Sequence, residues 1–219
     1  MKSKKAKTKH FSAFSWLVRT VVFAAVMFAV QWAVDNVILT NISLNAMRNG
    51  YSRELGTVLS MCANAFPFFL IFIAGMILCG PASGLAVVAA LEAARVIPYA
   101  LDSSVTLQDV NRYALLGFAV LLFIWALSER FKWFGKDRKF ARICTLVIGL
   151  VLMYAAQYIC EDVVWYYAFK DSGGSGALTM LGDYIIQHLL YYILPSVISG
   201  FIGGTTGILV ASRFGKGKP

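Results

Sequence analysis

The stretch TVLSMCANAFPFFLIFIAGMILC, residues 57–79, is an apolar run without a single charge, and Gly80-Pro81 closes it. A helix that crosses a hydrocarbon core roughly 30 Å thick needs about 20 mostly apolar residues, and this run supplies them. Comparable runs lie on either side, so spans are expected over residues 14–38, 57–79, 83–101, 111–128, 143–168 and 184–212. The runs are long and unbroken, whereas a transmembrane barrel strand would alternate over segments of about ten residues. The expected fold is an all-α integral membrane protein, a bundle of six transmembrane helices.

Composition excludes the main alternative. The chain is 59% hydrophobic and 14% charged, with a mean hydropathy of +0.69, too apolar for a soluble domain of 219 residues. Six spans consume nearly the whole length, which leaves no room for a soluble catalytic domain. The net charge of +9 raises the possibility of nucleic acid, but the cations cluster beside apolar runs rather than on one soluble face, so no nucleic-acid partner is expected. Cys62, Cys79, Cys144 and Cys160 fall within or at the edge of apolar runs without metal-ligand spacing and read as free thiols.

The clusters report orientation, because positive charge accumulates in cytoplasmic loops. With the N-terminus inside, the inner segments hold Lys2, Lys4, Lys5, Lys7 and Lys9, then Arg130, Lys132, Lys136, Arg138, Lys139 and Arg142, then Arg213, Lys216 and Lys218. The outer segments hold only Arg48, Arg53, Arg112 and Lys170. An N-in/C-in arrangement follows, with a basic cytoplasmic lead at 1–13, a membrane domain at 14–212 and a basic tail at 213–219. The basic start precedes an apolar run too long for a signal peptide and reads as a lead into the first helix. Thr40 to Gly56 reads as a long polar outer loop, and its sequon Asn41-Ile-Ser43 as chance.

Ionisable groups in hydrocarbon are costly unless paired or facing a cavity, so their depth is informative. Most fall in the outer halves of the spans. Helix 1 carries Gln31, Trp32, Asp35 and Asn36; helix 2 carries Ser60 and Asn64; helix 3 carries Glu92, Arg95 and Tyr99. Helix 5 ends with Tyr154, Gln157, Tyr158, Glu161, Asp162 and Trp165, and helix 6 begins with Gln187, His188, Tyr191 and Tyr192. Tyr154, Gln157, Tyr158, Glu161 and Trp165 step by three and four and share one helix face. An outward-opening pocket, closed toward the cytoplasm by aliphatic inner halves, is the expected site. Its candidate residues are Trp32, Asp35, Asn36, Asn64, Glu92, Arg95, Tyr99, Gln157, Tyr158, Glu161, Trp165, His188 and Tyr191. Bland readings stand beside these. Trp165, Tyr166 and Tyr167 equally suit an interfacial aromatic belt. Glu92 and Arg95, three apart, equally suit mutual neutralisation, and His188 an ordinary interior hydrogen bond. Small residues recur at a spacing that lets helix backbones approach closely, within the chain or against a partner subunit: Ala25, Ala29 and Ala33 on helix 1, and Ser196, Gly200 and Gly204 with Gly203 and Gly207 on helix 6.

These residues resemble the substrate-specific S components of energy-coupling factor (ECF) vitamin transporters. The likeness rests on size, six helices and topology, on the alanine spacing of Ala25, Ala29 and Ala33, and on Cys79-Gly80-Pro81-Ala82-Ser83-Gly84. That last segment is similar to the family's Phe-Gly-Pro-x-x-Gly turn. Where the family often has Asp after the turn, this chain has Glu92, followed by Arg95. The resemblance implies a multi-pass protein of a bacterial plasma membrane that captures a vitamin-like small molecule from outside. It also implies docking, through the alanine face, on a transmembrane coupling subunit that works with two ATPase subunits. No cofactor or metal is expected. A membrane-embedded sensory module and a small stand-alone secondary carrier remain alternatives; the sensory module is disfavoured because the chain stops at Pro219 without an output domain. An enzyme is not expected: no rhomboid-type or zinc-type signature occurs, and Gly173-Gly-Ser-Gly176 reads as a linker.

Overall fold

The computed structural model describes residues 13–50, 52–100, 112–134, 137–170, 182 and 185–215, and no strand occurs among them. The helices are α1 (Ala13–Ala33), a π-helical turn (Val34–Leu39), α2 (Thr40–Asn49), α3 (Arg53–Cys79), α4 (Pro81–Ala100), α5 (Arg112–Phe131), α6 (Arg138–Lys170), a second π-helical turn (Leu189–Ile193) and α7 (Leu194–Gly215). Five are long and apolar enough to cross a membrane: Phe14–Ile42, Arg53–Cys79, Tyr113–Phe131, Arg138–Glu161 and Ile185–Phe214. The sixth long helix, α4, has 20 residues and packs along α1 and α3.

Local chemistry sets the helix ends. The Ser52 side chain accepts from the Leu55 amide (3.3 Å) and caps α3. Asp137 accepts from the Lys139 amide (2.9 Å) and so starts α6 five residues before the expected span at 143. At the other end of α3, Gly80 takes φ 94°, a backbone state closed to most side chains. Pro81 then opens α4, where its missing amide costs nothing, and the buried Ser83 hydroxyl donates to the Gly80 carbonyl (2.7 Å).

The segment that follows the first span departs from expectation. Thr40 to Gly56 is not a long loop: α1 runs on through the π turn into α2 and ends at Gly50, in the left-handed region at φ 65°. Thr, Asn and Ser favour loops because their side chains compete for the backbone. Here the same groups bond back along the helix, Asn41 Nδ2 to the Val37 carbonyl (2.7 Å) and Thr40 Oγ1 to the Asp35 carbonyl (3.4 Å). Gly50 is the first glycine after position 13, and the helix stops there.

The bundle is built from three closely packed pairs: α3 with α7, α5 with α6, and α1 with α4. On α7 the small residues divide between two neighbours. A Cβ on Gly203 or Gly207 would run into the carbonyl oxygens of Phe66 and Leu70 on α3, whereas Gly204 makes room for Leu146 of α6, and Gly200, between the two, for the Phe69 ring of α3 with Leu150 of α6 beside it. The same seam carries Ser199 Oγ donating to the Cys62 carbonyl (3.3 Å). This stripe therefore packs within the chain. Phe69, Phe72 and Ile73 of α3 are fully buried with Met27, Leu121, Leu146, Leu150 and Met153 from three other helices. Burying such side chains stabilises by about 1.5–3 kcal/mol each in water; where lipid replaces water, dispersion and close approach take over that role.

Two contacts fix which turns share an end of the bundle. Trp16 Nε1 donates to the Cys79 carbonyl (2.6 Å), bringing the start of α1 to the α3–α4 turn. Met76, Ile77 and Pro81 line a common cavity with Glu129, Arg130 and Arg142, bringing the α5–α6 turn to the same end.

Candidate functional site

At the opposite end from these turns, α3 to α7 line an open-mouthed cavity of about 260 Å³. Its floor is apolar, formed by Phe68, Phe69, Leu91, Phe118 and Met153. Phe68 packs at 4.9 Å, centroid to centroid, from both Phe69 and Phe118, which closes the space below. Its polar groups are Asn64 from α3, Arg95 from α4, Gln157 and Tyr158 from α6, and Tyr192 and Ser196 from the last helical stretch. The Tyr154 phenol bonds the Ser196 hydroxyl, and its ring stacks on Tyr158 at 6.2 Å.

Four of the thirteen candidate residues, Asn64, Arg95, Gln157 and Tyr158, line this cavity. Others stand immediately behind its wall. Arg95 pairs with Glu92 at 3.7 Å, one helical turn back, with Glu92 the more buried partner. The pair leaves the guanidinium at the cavity edge and the carboxylate deeper, where Glu92 Oε1 has no hydrogen-bond partner among the described residues. Buried His188 lies edge-on to Tyr158 and Tyr192, at 5.4 and 5.0 Å. Asp35 reaches the site through Gln31, whose Nε2 donates to Asp35 Oδ1 (2.8 Å) and Asn64 Oδ1 (2.9 Å). Asn64 Nδ2 donates in turn to the Ser60 carbonyl (2.9 Å), which fixes the amide's orientation.

The remaining candidates do not line the cavity. Trp32 and Asn36 lie on the exposed side of the first helix, where Asn36 Nδ2 donates to the Trp32 carbonyl. Tyr191 and Glu161 are partly buried outside the lining set. The side chains of Tyr99 and Trp165 lie outside the described residues. Ala25 and Ala29 are exposed on α1, with Ala33 partly so.

Three polar lining residues, Tyr154, Tyr192 and Ser196, and the linking Gln31 were absent from the candidate set. A signal existed: His188, Tyr192 and Ser196 are spaced by four, and so are Gln31 and Asp35. The π turns explain part of the difference. Each inserts an extra residue into the ladder and rotates the helix beyond it, so a 3.6-residue extrapolation slips by one position. Both lie beside the site, at Val34–Leu39 and Leu189–Ile193.

Chemically, the cavity offers flat aromatic faces, two side-chain amides, a hydroxyl and one cation. Among the described residues, no group of three or more His, Cys, Asp or Glu side chains is placed to hold a metal ion. No family model, curated protein or solved structure matches the chain.

Proposed function

We propose that this protein is the substrate-binding membrane subunit of an ECF-type importer, capturing a small, flat, vitamin-like compound. The observation that carries the reading is the cavity itself: about 260 Å³, with polar groups converging from four helices over a closed aromatic floor. Ligand sites combine largely apolar walls with a few oriented polar groups, as here. Tyr158 and Tyr192 supply faces for a ring, Asn64 and Gln157 read its edge, and Arg95 meets a polar or anionic substituent. The dense core between Phe69 and Ile208 fits a subunit that binds on one side and does not conduct.

In this reading α4 is a sixth span, and both termini are cytoplasmic. The basic clusters support that orientation, as do the contacts that gather the start of α1 and the α3–α4 and α5–α6 turns at one end. The protein then belongs in a bacterial plasma membrane. The exposed face of Ala25 and Ala29 supports docking of α1 on a membrane coupling subunit that recruits two ATPases. The Glu92–Arg95 pair favours, as a second reading, a stand-alone carrier coupled to an ion gradient.

Uptake of a bound compound by proteoliposomes separates the two. Transport that requires added coupling and ATPase subunits supports capture, and transport driven by a proton or sodium gradient alone supports the carrier. Arg95→Gln and Gln157→Leu are each expected to weaken ligand binding at least about ten-fold, the loss of one charged or buried hydrogen bond. Unchanged affinity in both variants refutes the site.

A further inference from the structure

The end of the bundle away from the polar cavity holds two further cavities that share Trp125, Glu129 and Arg142 as a common wall. One, of about 290 Å³, is rimmed by Lys132, Arg138 and Arg142 with the hydroxyls of Ser128 and Thr145. The other, of about 510 Å³, is apolar, with Met76, Ile77, Pro81 and Ala126 in its wall. A basic compartment fused to an apolar one matches a molecule with an anionic head and a hydrocarbon tail. We propose that this pair of cavities is a binding site for an anionic phospholipid, with the phosphate among the cations and an acyl chain beside Met76 and Ile77.

Charge complementarity supports this occupant. Glu129 is the only carboxylate in the lining, and Arg142 occupies it at 3.0 Å. Among the described residues, Arg130, Lys132 and Arg138 have no carboxylate partner. Lys132 reaches the wall from a backbone at φ 50°, the only non-glycine residue with positive φ among those described. This left-handed residue follows the last residue of α5 and ends the helix, and its side chain stands in the cavity wall. Phe131 and Trp133, stacked at 6.2 Å and both exposed, sit at this end as interfacial anchors. The site rests on the membrane character of the helices and is independent of the capture reading.

The test is native mass spectrometry of the full chain in detergent, titrated with phosphatidylglycerol or with phosphatidylcholine of the same chain length. Preferential retention of phosphatidylglycerol is expected. Lys132→Gly, which removes the cation and relieves the backbone, and Arg138→Gln should each lower that retention about five-fold, the usual effect of one surface cation on an anionic lipid. Glu129→Gln releases Arg142 and should raise retention. Soluble glycerol phosphate at equal concentration should not displace the lipid. Equal retention of the two lipids, insensitivity to Lys132→Gly, reduced retention in Glu129→Gln, or displacement by glycerol phosphate alone each overturns the proposal. Should Arg138→Gln fail to fold, Lys132→Gly decides the matter.

Discussion

Replacing Gly203 by Ala tests whether α3 and α7 are joined by backbone contact. A Cβ at this position meets the carbonyl oxygen of Phe66, with the Phe66 carbonyl carbon at 3.0 Å and Cα at 3.1 Å. All three are main-chain atoms of a buried helix, so no side-chain rotation relieves the clash. The helices must separate, straining the Ser199–Cys62 bond one turn away. Overpacking of this kind costs about 1–3 kcal/mol, and an unyielding obstacle places this site at about 2–3. For a protein of this size that corresponds to a lowering of the melting temperature by about 4–12 °C. Gly182→Ala is the control, since nothing lies within 4 Å of its Cβ position. The assay is thermal loss of the monodisperse peak in detergent. If Gly203→Ala melts with wild type, the helices do not approach as described, and the seam that carries Tyr192 and Ser196 to the cavity is misplaced.

Three further outcomes rest on named contacts. Gly80→Ala forces a Cβ into φ 94° and should cost about 1–2 kcal/mol in the same melt, although nothing crowds the site; no loss would mean that the α3–α4 turn has another geometry. A double-mutant cycle on Gln31→Leu and Asn64→Ala should show coupling of at least about 0.5 kcal/mol, because Gln31 links Asp35 and Asn64, and additivity would dissolve that network. Glu129→Gln should alter stability by less than about 1 kcal/mol, since its ion pair is half-exposed and screened; a larger loss would show the α5–α6 turn to be more buried than described.

Which parts were legible in the sequence depends on whether a residue's chemistry acts locally. Gly80-Pro81 and the glycines of α7 could be read directly, because a left-handed backbone and a close helix approach each leave few residue types to choose from. The charge-free run at 57–79 likewise allowed only a long buried helix. Thr40–Asn49 misled because its hydroxyls and amides can cap a loop or fold back on a helix, and only tertiary context selects between them. The cavity was legible as a region, in that Asn64, Arg95, Gln157 and Tyr158 line it. Its register was not. Where both faces of a helix are apolar, as around Gln31 and Trp32, periodicity does not say which face meets lipid, and two π turns then shift the positions beyond them.

Whether the cavity between α3 and α7 holds a small molecule can be decided by purifying the full chain from cells grown in rich medium. Mass spectrometry then identifies any compound retained by wild type and by Gln157→Leu. The expected result is one stoichiometric, vitamin-sized ring compound in wild type that is lost from the variant. A wild-type protein that emerges empty and co-purifies no coupling subunit, or a ligand retained equally by Gln157→Leu, would overturn the capture reading.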